Sequence, residues 1–246
     1  MTENNDETFL VLLTLLFSCI FNIAIADGGV LLNQTRVIFL GTAKSTKATI
    51  ENRSNNTYLV KVNALISPDS QEKAPFLVNP PLFRMESQSQ NTVVIMPNQI
   101  KHLPTDRESV FYLSFLAIPS VPKNELTESS ESYSQVSFGL QMVIKLFYRP
   151  ENIISDVNQA PSQLTYQQKG NVLIVNNPTA YFQTFSSLKV NGKQIDNQSA
   201  GMMVAPFSDI KYQINQEAKD ITWRVMNDFG GESREYHQAL KGGEKK

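Results

Sequence analysis

The chain has 246 residues, enough for one or two domains, and its composition is that of an ordinary globular protein rich in Val, Ile, Thr, Phe and Tyr. A formal charge of −1, from 22 basic and 23 acidic residues, is too balanced for a nucleic-acid binder. One cysteine, Cys19, and two histidines far apart in sequence, His102 and His237, make a disulfide, a Cys-ligated metal site or a catalytic triad hard to build.

Phe9 to Phe21 is an apolar run too short to span a membrane and of the right length for the core of a signal peptide. Ala24-Ile25-Ala26 supplies a small-x-small cleavage site, so residues 1–26 read as a leader and Asp27 as the first mature residue. Met1 to Glu7 carries three acids and no base, which departs from the usual positive start of a leader.

Val30 to Leu40 reads as a first strand with Arg36 in its middle, Lys47–Asn52 and Tyr58–Ile66 as a hairpin-like pair, and Phe76–Met85 as an edge strand broken by Pro80 and Pro81. Asn91–Met96 is a further short strand, and another runs from the Leu103 region to about Phe115 before Pro119 and Pro122 interrupt it. A polar segment, 123–133, then leads into the longest alternating stretch of the chain, 134–150. Val136, Phe138, Leu140, Met142 and Ile144 point one way; Ser137, Gly139, Gln141, Val143 and Lys145 point the other. The plain reading is a core strand of a sandwich. The sharper one is a strand whose apolar row would promote aggregation unless something covers it.

Six or seven short strands at this spacing predict an antiparallel immunoglobulin-like sandwich over 27–150. Residues 151–162, Asn-rich with Pro161, read as a hinge. A second, smaller β-domain follows over 163–241, with strands at 164–167, 172–176, 185–190, 202–204, 209–214 and 221–227. A polar tail, 242–246, closes the chain, and order is expected to fade after Tyr236.

Four segments carry a resemblance. Thr35-Arg-Val-Ile38, Pro80-Pro-Leu-Phe-Arg84, Leu103-Pro-Thr-Asp-Arg-Glu-Ser109 and Ile144-Lys-Leu-Phe-Tyr-Arg-Pro150 occur in this order, and Asn227-Asp-Phe-Gly-Gly231 closes the second domain. Together they resemble the periplasmic pilus-assembly chaperones of the PapD-like family. The resemblance implies an all-β fold of two immunoglobulin-like sandwiches in an L-shaped arrangement with a cleft between them. It implies no enzymatic activity, no cofactor and no small-molecule substrate.

The roles it implies are specific. Arg36 and Lys145 would hold the C-terminal carboxylate of a pilus subunit in the cleft, whereas taken alone each reads more readily as a solvated strand residue. Val136, Phe138, Leu140 and Met142 would fill the groove of a subunit that lacks its last strand. Glu108, Arg149 and Asp228 would form a charge network between the domains; read in isolation they are three surface charges worth little. Implied partners are pilus subunits and an outer-membrane usher, with a self-capping homodimer as a further state of the free chaperone, and the implied compartment is the periplasm. The loop 119–135 is somewhat long for the short-loop members, yet the mature chain lacks the cysteine pair of the long-loop type, so it is placed with the former. The alternative is a secreted or surface immunoglobulin-like binding module, for which four Asn-x-Ser/Thr sites (Asn33, Asn52, Asn55, Asn197) would be apt. An enzyme lacks support: there is no nucleophile elbow, metal-ligand cluster or phosphate loop, and no nucleotide motif that would call for ATP.

Overall fold

The computed structural model describes residues 28–120, 138–195 and 201–240. The leader, most of the 119–135 loop, Val136 and the polar tail lie outside the described residues.

The first domain is a sandwich of two sheets. One sheet is ordered β1 (Val30–Leu32), β3 (Thr46–Asn52), β7 (Ser89–Pro97), β5 (Phe76–Asn79). The other is ordered β2 (Arg36–Leu40), β9 (Leu140–Arg149), β8 (Ser109–Pro119), β4 (Tyr58–Leu65), β6 (Leu82–Met85). Alternation decides which side chains fill the space between them. Val37 and Phe39 of β2, Phe111, Leu113 and Phe115 of β8, and Leu146 and Tyr148 of β9 point inward onto Ile50, Val93 and Ile95 of the facing sheet. Phe76 sits at the centre of an aromatic group, 5.3 Å from the ring of Phe39 and 5.4 Å from that of Phe111. Each such buried side chain contributes roughly 1.5–3 kcal/mol.

Two expectations about pairing are corrected. Residues 30–40 are not one strand: the chain crosses from one sheet to the other between β1 and β2, so β1 pairs with β3 and β2 pairs with β9. Lys47–Asn52 and Tyr58–Ile66 are not a hairpin-like pair. Their strands lie in opposite sheets, because the intervening turn is held by Asn52, whose side-chain amide donates to the carbonyls of Asn56 and Glu86. The proline break, by contrast, has a clear consequence. Pro80 and Pro81 end β5 at the edge of one sheet and restart the chain as β6 at the edge of the other.

The second domain packs the sheet β10 (Thr165–Lys169), β11 (Val172–Asn177), β15 (Ser208–Gln213) against β13 (Lys193–Gln194), β12 (Gln183–Val190), β16 (Asp220–Val225), β17 (Tyr236–Ala239), with β14 (Met203–Val204) on β12. Leu173, Val175, Leu188, Tyr212, Ile221 and Trp223 form its core. β13 and β17 were not expected. β17 is the more instructive, since order was expected to fade after Tyr236. There the Tyr236 ring stacks on Trp223 at 5.7 Å and 19°, and Leu240 packs on the core, so a polar-looking segment is held in place. The linker is likewise pinned: Trp223 Nε1 donates to the Pro161 carbonyl at 3.0 Å, and the Tyr181 hydroxyl donates to that of Ser155.

Candidate subunit-binding cleft

The site is organised by β9, which changes environment along its length. Its even-numbered row faces the domain's own core at Leu146 (0% exposed) and Tyr148, is partly buried at Ile144 and Met142, and emerges at Leu140 (45%) and Phe138 (83%). Met142, expected in the projecting row, packs partly against its own core, so Phe138 and Leu140 are the described side chains that stand clear of it. One flank of β9 is paired with β8 along its whole length, from Leu140↔Ala117 to Tyr148↔Ser109. The other is paired with β2 only over residues 145–149, where the two strands run parallel. Among the described residues, the edge from Leu140 to Ile144 has no strand beside it. A row of backbone N–H and C=O groups is therefore open where the apolar side chains also emerge.

That open edge ends at two cations. Arg36 opens β2 and is the register partner of Lys145 on β9, so their side chains leave the same face of the sheet from neighbouring strands. Arg36 is underused: its Nη1 donates to the Met226 carbonyl at 3.5 Å, its buried Nε finds no partner among the described residues, and its guanidinium lies 5.8 Å from the Phe147 ring centroid. Burial lowers its pKa, against the opposing pull of Asp228 and Glu108. Lys145 is lowered by burial and then by the charge of Arg36. Among the described residues neither makes an ion pair. Two half-buried like charges without a counter-ion cost free energy that an incoming anion relieves.

Arg149, four residues along β9 on the same face, is occupied instead. Its Nε donates to Glu108 Oε1 at 2.8 Å, and its two terminal nitrogens form a fork on the Asp228 carboxylate at 2.7 and 2.8 Å. Glu108 also accepts from the Phe182 N–H at 2.9 Å, and its own N–H donates to Ala180. Glu108 and Arg149 come from the first domain; Asp228, Phe182 and Ala180 come from the second. The Glu108 side chain is only 3% exposed. Burial raises its carboxyl above the usual carboxylate range even though Arg149 and the Phe182 N–H favour the charged form. Burial would lower Arg149, but its bonds to Asp228 and Glu108 outweigh it and hold the guanidinium above its ordinary value.

Sequence reasoning did not find several partners in this cleft, which has a volume of about 390 Å³. Phe182 meets Phe147 at 5.6 Å and Tyr181 lies under Arg149 at 5.1 Å, while outside the cavity lining Arg107 stacks on Phe207 at 4.8 Å. Phe182, Tyr181 and Phe207 are aromatic residues of the second domain, and no local signal marks them as facing the first.

The comparisons with known proteins fit this arrangement. Residues 29–154 match the model of the pili and flagellar-assembly chaperone PapD N-terminal domain, and residues 159–237 that of the pili assembly chaperone PapD C-terminal domain. The chain is 32% identical over 231 residues to the chaperone protein FimC of Escherichia coli strain K12, covering 93% of this chain and 92% of that one. It is 31% identical over 224 residues to the probable fimbrial chaperone protein ElfD of Escherichia coli O157:H7, covering 90% and 91%. In structure it is similar to a chain of the Salmonella enterica complex of SafA pilin with the SafB chaperone, with a TM-score of 0.74, 30% identity, and 88% and 99% of the two chains covered. The Escherichia coli chaperone DraB gives 0.73 with 28% identity over 87% and 99%. Two sandwiches joined at a cleft, matched nearly end to end in sequence and in structure, place this chain in the PapD-like family of pilus-assembly chaperones.

Proposed function

We propose that Arg36 and Lys145 bind the C-terminal carboxylate of a pilus subunit while the β9 strand, with Phe138 and Leu140 at its projecting end and Val136 before them, completes the subunit's unfinished sandwich. Strand addition of this kind is the established way in which chaperones of this family hold pilins. The observation that carries the assignment of residues is the pairing of β9: two flanks covered at 145–149, one at 140–144, with the cation pair at the junction. The subunit's last strand fits along the open edge, in line with β2, and its chain end arrives at Arg36 and Lys145. Phe138 and Leu140 each contribute roughly 1.5–3 kcal/mol when fully buried in a groove. The carboxylate fixes register, because a slip of one residue would turn every side chain to the wrong face. A guanidinium with free donors beside an ammonium suits a carboxylate on both charge and geometry.

Glu108, Arg149 and Asp228 hold the domains at the angle the cleft requires. Domains at 27–150 and 163–241 joined by 151–162 suit this division of labour, with the 1–26 leader removed on export to the periplasm and the 242–246 tail outside both. The loaded chaperone hands its subunit to an outer-membrane usher without ATP, and the free chaperone hides its strand in a homodimer. Expression beside pilus subunits, followed by recovery of the chaperone from the periplasm, tests the assignment. Subunits should accompany the wild-type protein and be lost from Arg36→Ala and Lys145→Ala while both variants stay folded. Unchanged recovery of subunits with either variant would overturn it.

A further inference from the structure

The turn that closes the second domain touches the anchor of the first. Asn227 shapes it: its Oδ1 accepts from the N–H groups of Phe229 and Gly231, and its own N–H donates to the Gly231 carbonyl. Three points of this turn and of the residue before it reach across the cleft. The Met226 carbonyl accepts from Arg36 Nη1, Asp228 takes both terminal nitrogens of Arg149, and Gly230 lies against Thr35, the residue before Arg36. A β-carbon on Gly230 would overlap Thr35 Oγ1. Gly230 also has φ +83°, a left-handed conformation that side-chain-bearing residues resist. The fit is therefore close in a region where the first domain begins β2.

We infer that Gly230 is a positioning residue for carboxylate capture: its lack of a side chain lets the second domain close on Thr35, which sets how far the Arg36 guanidinium reaches into the cleft. This rests on the reading that Arg36 binds a client's chain end, and it adds that the second domain tunes that grip through the backbone of residues 226–230. Among the described residues Arg36 makes one direct polar contact across the cleft, the long one to Met226, so a small outward shift of the turn would free the guanidinium to swing. Asp228 would move with the turn, which links the two arginines through one short segment.

The test uses a synthetic peptide that alternates valine or phenylalanine with threonine and ends in a free carboxylate, and the same peptide ended by an amide. The wild-type chaperone should bind the acid about tenfold more tightly than the amide, or better, as charge-assisted bonds to a carboxylate provide. In Gly230→Ala the preference should fall to that of Arg36→Ala, with amide affinity little changed and the melting temperature lowered by the strain at positive φ. Gly230→Asn separates crowding from backbone strain, since Asn tolerates positive φ but carries a β-carbon; it should lose the preference as well. Thr35→Leu crowds the same contact from the other domain and should give the same loss should a Gly230 variant not fold. Gly230→Ala combined with Thr35→Ala, which removes the overlapped oxygen, should regain the preference. A full preference for the acid in folded Gly230→Ala, Gly230→Asn or Thr35→Leu, or no recovery of it in the folded double variant, would overturn the inference while leaving the anchor intact. Absence of a preference in the wild type would instead sink the carboxylate reading itself.

Discussion

Arg36 and Lys145 stand side by side on adjacent parallel strands, and neither has a counter-ion of its own among the described residues, whereas Arg149, on the same face, has two. The contrast separates two jobs on one sheet face. Arg149 is spent inside the molecule, on the contact between domains. Arg36 and Lys145 keep unspent binding capacity at the point where the open edge of β9 ends.

Lys145 gives the complex a characteristic dependence on pH. Its folded pKa is lowered, by burial first and by Arg36 second. In the free protein its stabilising contribution is therefore present above its ordinary pKa and lost as pH falls through the lowered value. A bound carboxylate favours the ammonium and raises the pKa again, so binding takes up a proton wherever free Lys145 is partly neutral. Affinity for a subunit should be level below the lowered pKa of free Lys145 and fall as pH rises through it. Lys145→Arg should retain affinity into more alkaline solution, as titration calorimetry across the alkaline range would reveal.

Arg149→Ala should leave the buried Glu108 carboxylate without its cation and cost about 3 kcal/mol or more. Glu108→Gln, which removes the buried charge and keeps a hydrogen-bonding group, should cost less. Both should broaden the range of domain orientations seen by small-angle scattering. An Arg149→Ala protein with the scattering profile and denaturation midpoint of the wild type would show that the ion network does not govern the domain angle.

The two ends of the β9 row should respond in opposite ways. Leu140→Asp and Phe138→Asp alter exposed side chains, so unfolding free energy should stay within about 0.5 kcal/mol while subunit recovery collapses. Leu146→Ala, fully buried, should cost about 2–5 kcal/mol. Chemical denaturation of the free chaperones, set beside the yield of complex, separates the two effects.

The same exposed row predicts self-association. If free chaperones hide β9 against one another, sedimentation of the purified protein should show a dimer that Phe138→Asp converts to monomer. A wild-type protein that sediments as a monomer at high concentration would remove the homodimer from the scheme.

Much of this was legible in the residues. Period-two alternation through 140–148 marks β9 correctly, and the segments around Arg36, Glu108, Lys145, Arg149 and Asp228 carry a family resemblance that the comparisons uphold. What alternation does not encode is the partner of a strand. Val30 and Arg36 look like one run, yet they belong to different sheets, because the crossover depends on which edge each end finds. β17 shows the converse: its residues are mostly polar, and its pairing with β16 and the stacking of Tyr236 on Trp223 hold it. Met142 could not be divided between client and core from pattern alone, since both lie on the same side of the strand. The cross-cleft contacts of Phe182, Met226 and Gly230 are backbone or apolar and leave no local signature.

Amide hydrogen exchange across β9, with and without a bound pilus subunit, tests the central claim most directly. Residues 140–144 donate toward β8 on one flank and toward open solvent on the other. Binding should strongly slow the outward-facing amides of 140–144, leave those of 145–149 nearly as slow as before, and lose its effect in Lys145→Ala. Exchange at 140–144 that stays fast in a complex of full occupancy would mean that the subunit is held somewhere else.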